Sequence, residues 1–258
     1  MSKYAAFARL GFRQARAEPG ELLGRVVFFV LILGVFSAIW RAVAESGGSA
    51  ARAPAEMLWY LAMTEWILMS APSIHFQIEE DIRRGDVAYQ IARPASWLGA
   101  QLAHGLGALA FRAPVMLVVA GAAAWSIAGP PTRPAGLAVA VALGLVAAMA
   151  ITLFHVAIGV AAFWLGDVAP AYWIWQKLLF VLGGLLLPLQ FYPALFVRIA
   201  RLTPFPALLA GPASFATREP FMRAGVLAPV IALWALVGWL VTSAAFRRAV
   251  RRLHVNGG

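Results

Sequence analysis

Six apolar stretches divide this chain, and no soluble fold of its size could bury them all. They run roughly over Leu22–Ala44, Glu56–Gln77, Trp97–Ile127, Pro134–Leu165, Ala171–Leu189 and Ala224–Phe246. A helix needs about 20 such residues to cross a hydrocarbon core. Charge clusters and proline or glycine turns separate the stretches. Of the 258 residues, 62% are hydrophobic and 12% charged, where a soluble domain carries about 25% charged residues. Apolar surface on that scale calls for a bilayer as its solvent. The expectation is an all-α integral membrane protein with six transmembrane helices, a single transmembrane domain over residues 1–258.

The flanking segments refine this picture. Over residues 2–18, Tyr4, Phe7, Ala8, Gly11 and Ala15 fall on one helical face, with Arg9, Arg13 and Arg16 on the other. That pattern predicts an N-terminal interfacial amphipathic helix. Glu18-Pro19-Gly20 then turns the chain into the bilayer. Val26–Trp40 has the composition of a signal-peptide core, but the amphipathic stretch before it and the five spans after it favour a retained span. Arg25 and Arg41 sit near the ends of that span, where their stems can snorkel. Span three is longer than a bilayer needs and carries Arg112 and Pro114, so it is expected to tilt, kink or protrude. Residues 190–223 are too apolar for an exposed loop and too broken by proline for a span. A re-entrant or interfacial hairpin on the outer face, between spans five and six, is the expectation.

Six spans put both termini on one side. With that side cytoplasmic, 13 lysines and arginines lie inside against 7 outside, as the positive-inside rule prefers. Arginine outnumbers lysine 19 to 2, a bias of GC-rich bacterial genomes, and the expected location is a bacterial inner membrane. The net charge of +10 is clustered between spans, which favours anionic lipid head groups over nucleic acid as its partner. The absence of cysteine removes disulfides and thiolate metal sites. No Gly-x-x-x-x-Gly-Lys-Ser/Thr loop is present to cradle ATP, and neither His-Glu-x-x-His nor Gly-x-Ser-x-Gly occurs. No catalytic residue and no metal site is assigned.

Two features carry candidate chemistry. Ile78-Glu-Glu-Asp-Ile-Arg-Arg-Gly-Asp-Val-Ala-Tyr-Gln-Ile-Ala-Arg-Pro94 reads as two short helices, with Gly85 at a C′ position and Asp86 as the next N-cap. Its mixed charge beside Val87, Tyr89 and Ile91 suits a docking surface better than an ordinary solvated loop. Inside the spans, ionisable groups are costly. Glu65 could line a polar cavity or pair with Arg112, and each could equally satisfy the other in a packed bundle. His75 and His155 could relay protons, but a helix-interface role suits them better, and His104 is expected to be structural.

The chain resembles the ABC-2 type permeases, the membrane subunits of type V ABC exporters. The likeness rests on the Glu/Asp-Ile-Arg-Arg-Gly-Asp…Ala-Arg-Pro loop between spans two and three and the Pro-Leu-Gln-Phe-Tyr-Pro…Thr-Pro-Phe segment between spans five and six. It implies a transport subunit rather than an enzyme, dimerising with a like or related permease. ATP and Mg²⁺ would be bound by a separate cytosolic ABC ATPase. It further implies that Glu80, Asp81, Arg83, Arg84, Gly85, Asp86 and Arg93 form the coupling region within a cytosolic loop at 78–94. The outer segment would cap a translocation path, with Phe191 and Tyr192 as candidates beside Glu65 and Arg112. The alternative reading is a proton-coupled secondary transporter using Glu65, Arg112 and the intramembrane histidines.

Overall fold

The computed structural model describes residues 3–46, 54–91, 95–217 and 219–256, with side chains described as far as Arg251. The described residues form helices and turns, with no strand. Four helical stretches are long and apolar enough to cross a membrane: Pro19–Glu45, Trp97–Ala128, Pro134–Leu165 and Phe221–Arg251.

The chain opens with α1 (Lys3–Ala17) and α2 (Pro19–Glu45). Of α2 only Phe29, Leu33 and Ser37 are buried, a seam spaced four residues apart. Leu23, Val27, Phe28, Leu31 and Val35 are exposed around the rest of the helix. A helix apolar on every side with one narrow buried seam has lipid as its natural cover. By contrast, α3 (Pro54–Ser70) is buried almost all round, with Tyr60, Leu61, Met63, Trp66 and Ile67 deep in the core.

The expected second span, Glu56–Gln77, is not one helix. It breaks at Ala71-Pro72-Ser73 and resumes as α4 (Ile74–Arg83), followed by α5 (Asp86–Ile91). Pro72 has no N–H to donate and disfavours helical geometry at Ala71. Ala71 closes α3 instead with a tighter bond from its N–H to the Leu68 carbonyl, 3.3 Å.

Next come α6 (Trp97–Ala128) and α7 (Pro134–Val160), the latter extended by α8 (Ala162–Leu165). At 1.5 Å per residue α6 is about 48 Å long, against a hydrocarbon core of about 30 Å. The surplus lies where α1 packs. The two helices run side by side in the same direction, Tyr4 beside Gly99 and Phe12 edge-on to Phe111. Their backbones nearly touch: a Cβ on Gly11 would stand 2.0 Å from the His104 carbonyl oxygen, and one on Gly107 1.8 Å from that of Ala8. Small residues are what permit such an approach. The amphipathic pattern expected of α1 is present, but its small-residue face meets α6 rather than acyl chains.

Helix α9 (Ala169–Leu182) ends short of the expected Leu189, at Gly183-Gly184. Three short helices follow, α10 (Ala194–Arg201), α11 (Phe205–Leu208) and α12 (Ala210–Ser214). Phe205, Leu208, Ala213 and Phe215 insert into the core against α3 and α7. Finally α13 (Ala224–Asn256) runs back through the bundle and past the expected end at Phe246, carrying the basic tail as helix. Trp97 stacks on Phe246 at 4.7 Å, so the far reach of α13 returns to the start of α6. The molecule thus has a near end, with α1, α4 and α5, and a far end, with α10 to α12.

Candidate coupling face and buried polar groups

At the near end, Gly85 adopts φ +78°, the left-handed conformation that a non-glycine residue adopts at a cost. The Arg84 N–H reaches the Glu80 carbonyl and the Gly85 N–H that of Ile82, closing α4 as expected of a C′ glycine. Asp86, expected as an N-cap, is instead the first helical residue of α5; the Gly85 carbonyl accepts the opening bond from Ala88 at 3.1 Å. An acid there still suits the positive end of the helix.

Of the seven sequence-picked residues in this segment, Glu80, Arg83, Arg84, Gly85 and Asp86 are exposed. Arg84 pairs with Glu80 at 2.7 Å. Asp81 turns inward and accepts from Gln90 at 3.1 Å and Gln101 at 3.5 Å, tying α4 to α5 and α6. Arg93 lies outside the described residues. Tyr89, 80% exposed, stands on this tip, while Val87 beside it is buried against Ile78 and Trp97. Glu79, which sequence reasoning passed over, is buried, pairs with Arg83 at 3.3 Å and accepts from the Val168 N–H at 3.3 Å, linking α4 to the start of α9.

The root of this segment is the break at Ala71–Ser73, and it is held from two sides. Arg25 of α2 donates to the carbonyls of Met69 (2.6 Å) and Ala71 (3.2 Å) and to the Ser73 hydroxyl (3.1 Å). From α7, His155 Nδ1 meets the Pro72 carbonyl at 2.8 Å, so this nitrogen carries the proton. Non-helical backbone at membrane depth persists only where protein satisfies it, and these two side chains do so. Arg25, expected to snorkel, instead caps the end of α3.

Arg25 is held in turn by Glu21, at 2.8 Å. The second carboxylate oxygen of Glu21 binds Arg112 of α6. Arg112 therefore pairs with Glu21, not with Glu65 as weighed from the sequence. The chain of contacts Arg112–Glu21–Arg25 joins α6, α2 and the break. Along the same seam His104 meets Gln14 at 3.1 Å. Two cavities of about 130 and 150 Å³ flank it, lined among others by Glu18, Glu21, Gln77, Asp81 and His104.

Glu65 is a different case. It is 1% exposed, and neither carboxylate oxygen has a hydrogen-bond partner among the described residues. Its neighbours on α3 are engaged: Tyr60 donates to Gly184 at 2.6 Å, Thr64 to Leu185 at 2.8 Å and Trp66 to Ala113 at 2.9 Å. Among the described residues His75 also has no hydrogen-bond partner, its ring stacked on Tyr172 at 4.0 Å and 5.0 Å from His155. Phe191 is exposed and Tyr192 stacks on Phe196 at 5.0 Å. The four path candidates do not form one site: Arg112 faces α2, Glu65 is inside the packed core, and both aromatics stand at the far end. Among the described residues no cluster of three metal-ligating side chains occurs.

Long apolar helices packed around a buried core helix define a multi-pass membrane protein. Residues 26–257 match the family described as ABC-2 family transporter protein, and the chain belongs to that family. It is a transport membrane subunit, not a catalytic one. A search of curated proteins finds no match to the chain.

Proposed function

We propose that this chain is the permease subunit of an ATP-driven exporter, a single transmembrane domain in a bacterial inner membrane with both termini cytoplasmic. In this reading it dimerises with a like or related permease and takes its power from a separate cytosolic ATPase that binds ATP and Mg²⁺. Six crossings are then made by α2, α3 with α4, α6, α7 with α8, α9 and α13, with α1 alongside the protruding start of α6 and α10 to α12 as the outer hairpin. The observation that carries the proposal is the combination at the near end: an exposed tip of Glu80, Arg83, Arg84, Asp86 and Tyr89 spread over the end of α4 and the start of α5, with α4 rooted at a polar-clamped break.

Force applied at that tip would turn α4 about Ala71–Ser73. Because Arg25 and Glu21 tie the break to α2 and α6, the rotation would reach those helices too. ATP binding can bias the membrane half only through contacts that differ between its two states, and the tip supplies them.

Purifying the intact complex from its native membrane tests the reading. A co-purifying P-loop ATPase is expected, and its recovery is expected to drop when Arg83, Arg84 and Asp86 are changed together to alanine. Recovery of the chain alone, with transport intact after reconstitution without ATP, overturns the proposal. That outcome favours the proton-coupled carrier, which draws its support from the Glu65 carboxyl, without a hydrogen-bond partner among the described residues.

A further inference from the structure

At the far end, between α13 and the hairpin, lies a cavity of about 650 Å³, the size of a small-molecule site. Its two kinds of wall differ sharply. Leu189, Phe215, Val226, Leu227, Val230 and Trp234 make an apolar trough along α13. Arg201 and Arg223 stand on its lining with Glu219, which pairs with Arg223. Among the described residues Arg201 makes no ion pair, so the rim keeps an unneutralised cation. The hydroxyls of Thr203 and Ser214 are turned to the carbonyls of Ala200 and Gly211 and compete little for a ligand.

Helix α10 fixes where this rim sits. Leu195 and Ile199, with Leu202 just past its end, continue one of its faces and are 69%, 50% and 79% exposed. Arg198 and Arg201 share its last turn. An exposed apolar face beside arginines is how a short helix lies at a bilayer surface, its cations at head-group level. The trough opens past exposed Val226 onto an α13 whose Leu233, Leu236, Val237 and Leu240 are also exposed.

We propose that this cavity seats one anionic phospholipid from the adjoining leaflet, its phosphate held by Arg201 and Arg223 and one acyl chain in the trough between α13 and α11–α12. Cations at the rim match the phosphate, and the apolar wall leading to a lipid-facing helix matches the chain. The inference rests on the membrane placement above and not on the exporter reading.

The test is photo-cross-linking of the full-length protein in phosphatidylcholine vesicles doped with phosphatidylglycerol that carries a diazirine on one acyl chain. Cross-links are expected in peptides covering 189–215 and 226–234. The double variant R201E/R223E is expected to lower them about thirtyfold, as for the loss of two surface cations near an anionic lipid. R201K/R223K, which keeps the charge, restores them, and R198E, off the cavity lining, lowers them less than R201E does. Equal labelling by the matching phosphatidylcholine probe, an unchanged yield in R201E/R223E, or cross-links confined to α2 and α9 would each overturn the proposal. Since labelling needs neither nucleotide nor ATPase, failure here and failure of the exporter reading are separate results.

Discussion

The two places where a helix stops short inside the bundle, after α3 and after α9, are repaired in opposite ways. At the near end, the carbonyls freed around Pro72 are met by an arginine and a histidine, and the arginine is shared through Glu21 with a second arginine on α6. At the far end, the carbonyls after α9 are met one at a time by neutral hydroxyls: Tyr60 on Gly184 and Thr64 on Leu185. The Ala210 N–H takes Gly183, at 3.0 Å. A charged clamp that is partly open to water can exchange partners, whereas isolated neutral bonds in an apolar setting have nowhere else to go. In the exporter reading proposed above, the break beside the charged tip is the one that moves and the one under the outer hairpin stays fixed.

Breaking the charged clamp is expected to cost most. Arg25→Leu strands the carbonyls of Met69 and Ala71 and leaves Glu21 with one cation, a loss of about 3–5 kcal/mol. Thermal unfolding in detergent checks it. A shift no larger than that of a surface substitution would mean that water, not Arg25, satisfies the break. Arg112→Leu removes one end of the same chain while Arg25 still holds Glu21, and about 2–3 kcal/mol is expected. The two losses should be non-additive in the double variant, since both residues share Glu21. Strict additivity would separate α6 from the break.

The neutral repair should be cheaper. Tyr60→Phe is expected to cost about 0.6–1.7 kcal/mol, the range for single hydrogen bonds between membrane helices. Hydrogen exchange should rise at Gly184–Leu189 without any change at Ala71–Ser73. Coupled exchange at both breaks would erase the distinction between them. Glu65→Gln removes no hydrogen bond among those described, so a change under about 1 kcal/mol is expected. Abolished ATP-driven transport at unchanged stability would instead give Glu65 a part in the path. Smallest of all, Arg84→Ala gives up a surface pair with Glu80 worth about 0–1 kcal/mol. Its larger effect is expected on ATPase recovery, read by co-purification.

How much of this was legible in residue order depends on the range of the cause. Gly85 announced the end of α4 because a left-handed residue is a local demand of the backbone. Prolines and glycines equally marked the hairpin as irregular, and the length of α6 beyond a bilayer followed from counting. The break at Pro72 was also written locally, yet the apolar run over Glu56–Gln77 masked it, because hydropathy does not register a missing N–H. Asp81 and Glu79 look alike in sequence to the exposed Glu80 and Arg84. Only the turn of α4 against α6 and α9 decides which face inward.

By itself, the sequence determined the membrane as solvent, the helical class, the family likeness and the position of the charged tip, because apolar length and turn chemistry act over a few residues. Tertiary structure alone decided that Arg112 meets Glu21, 91 residues away, and leaves Glu65 without a hydrogen-bond partner among the described residues. Which carboxylate an arginine meets depends on the rotation and register of whole helices. Those are set by the backbone approach of α1 to α6 and the packing around α3, summed over contacts that no local pattern encodes.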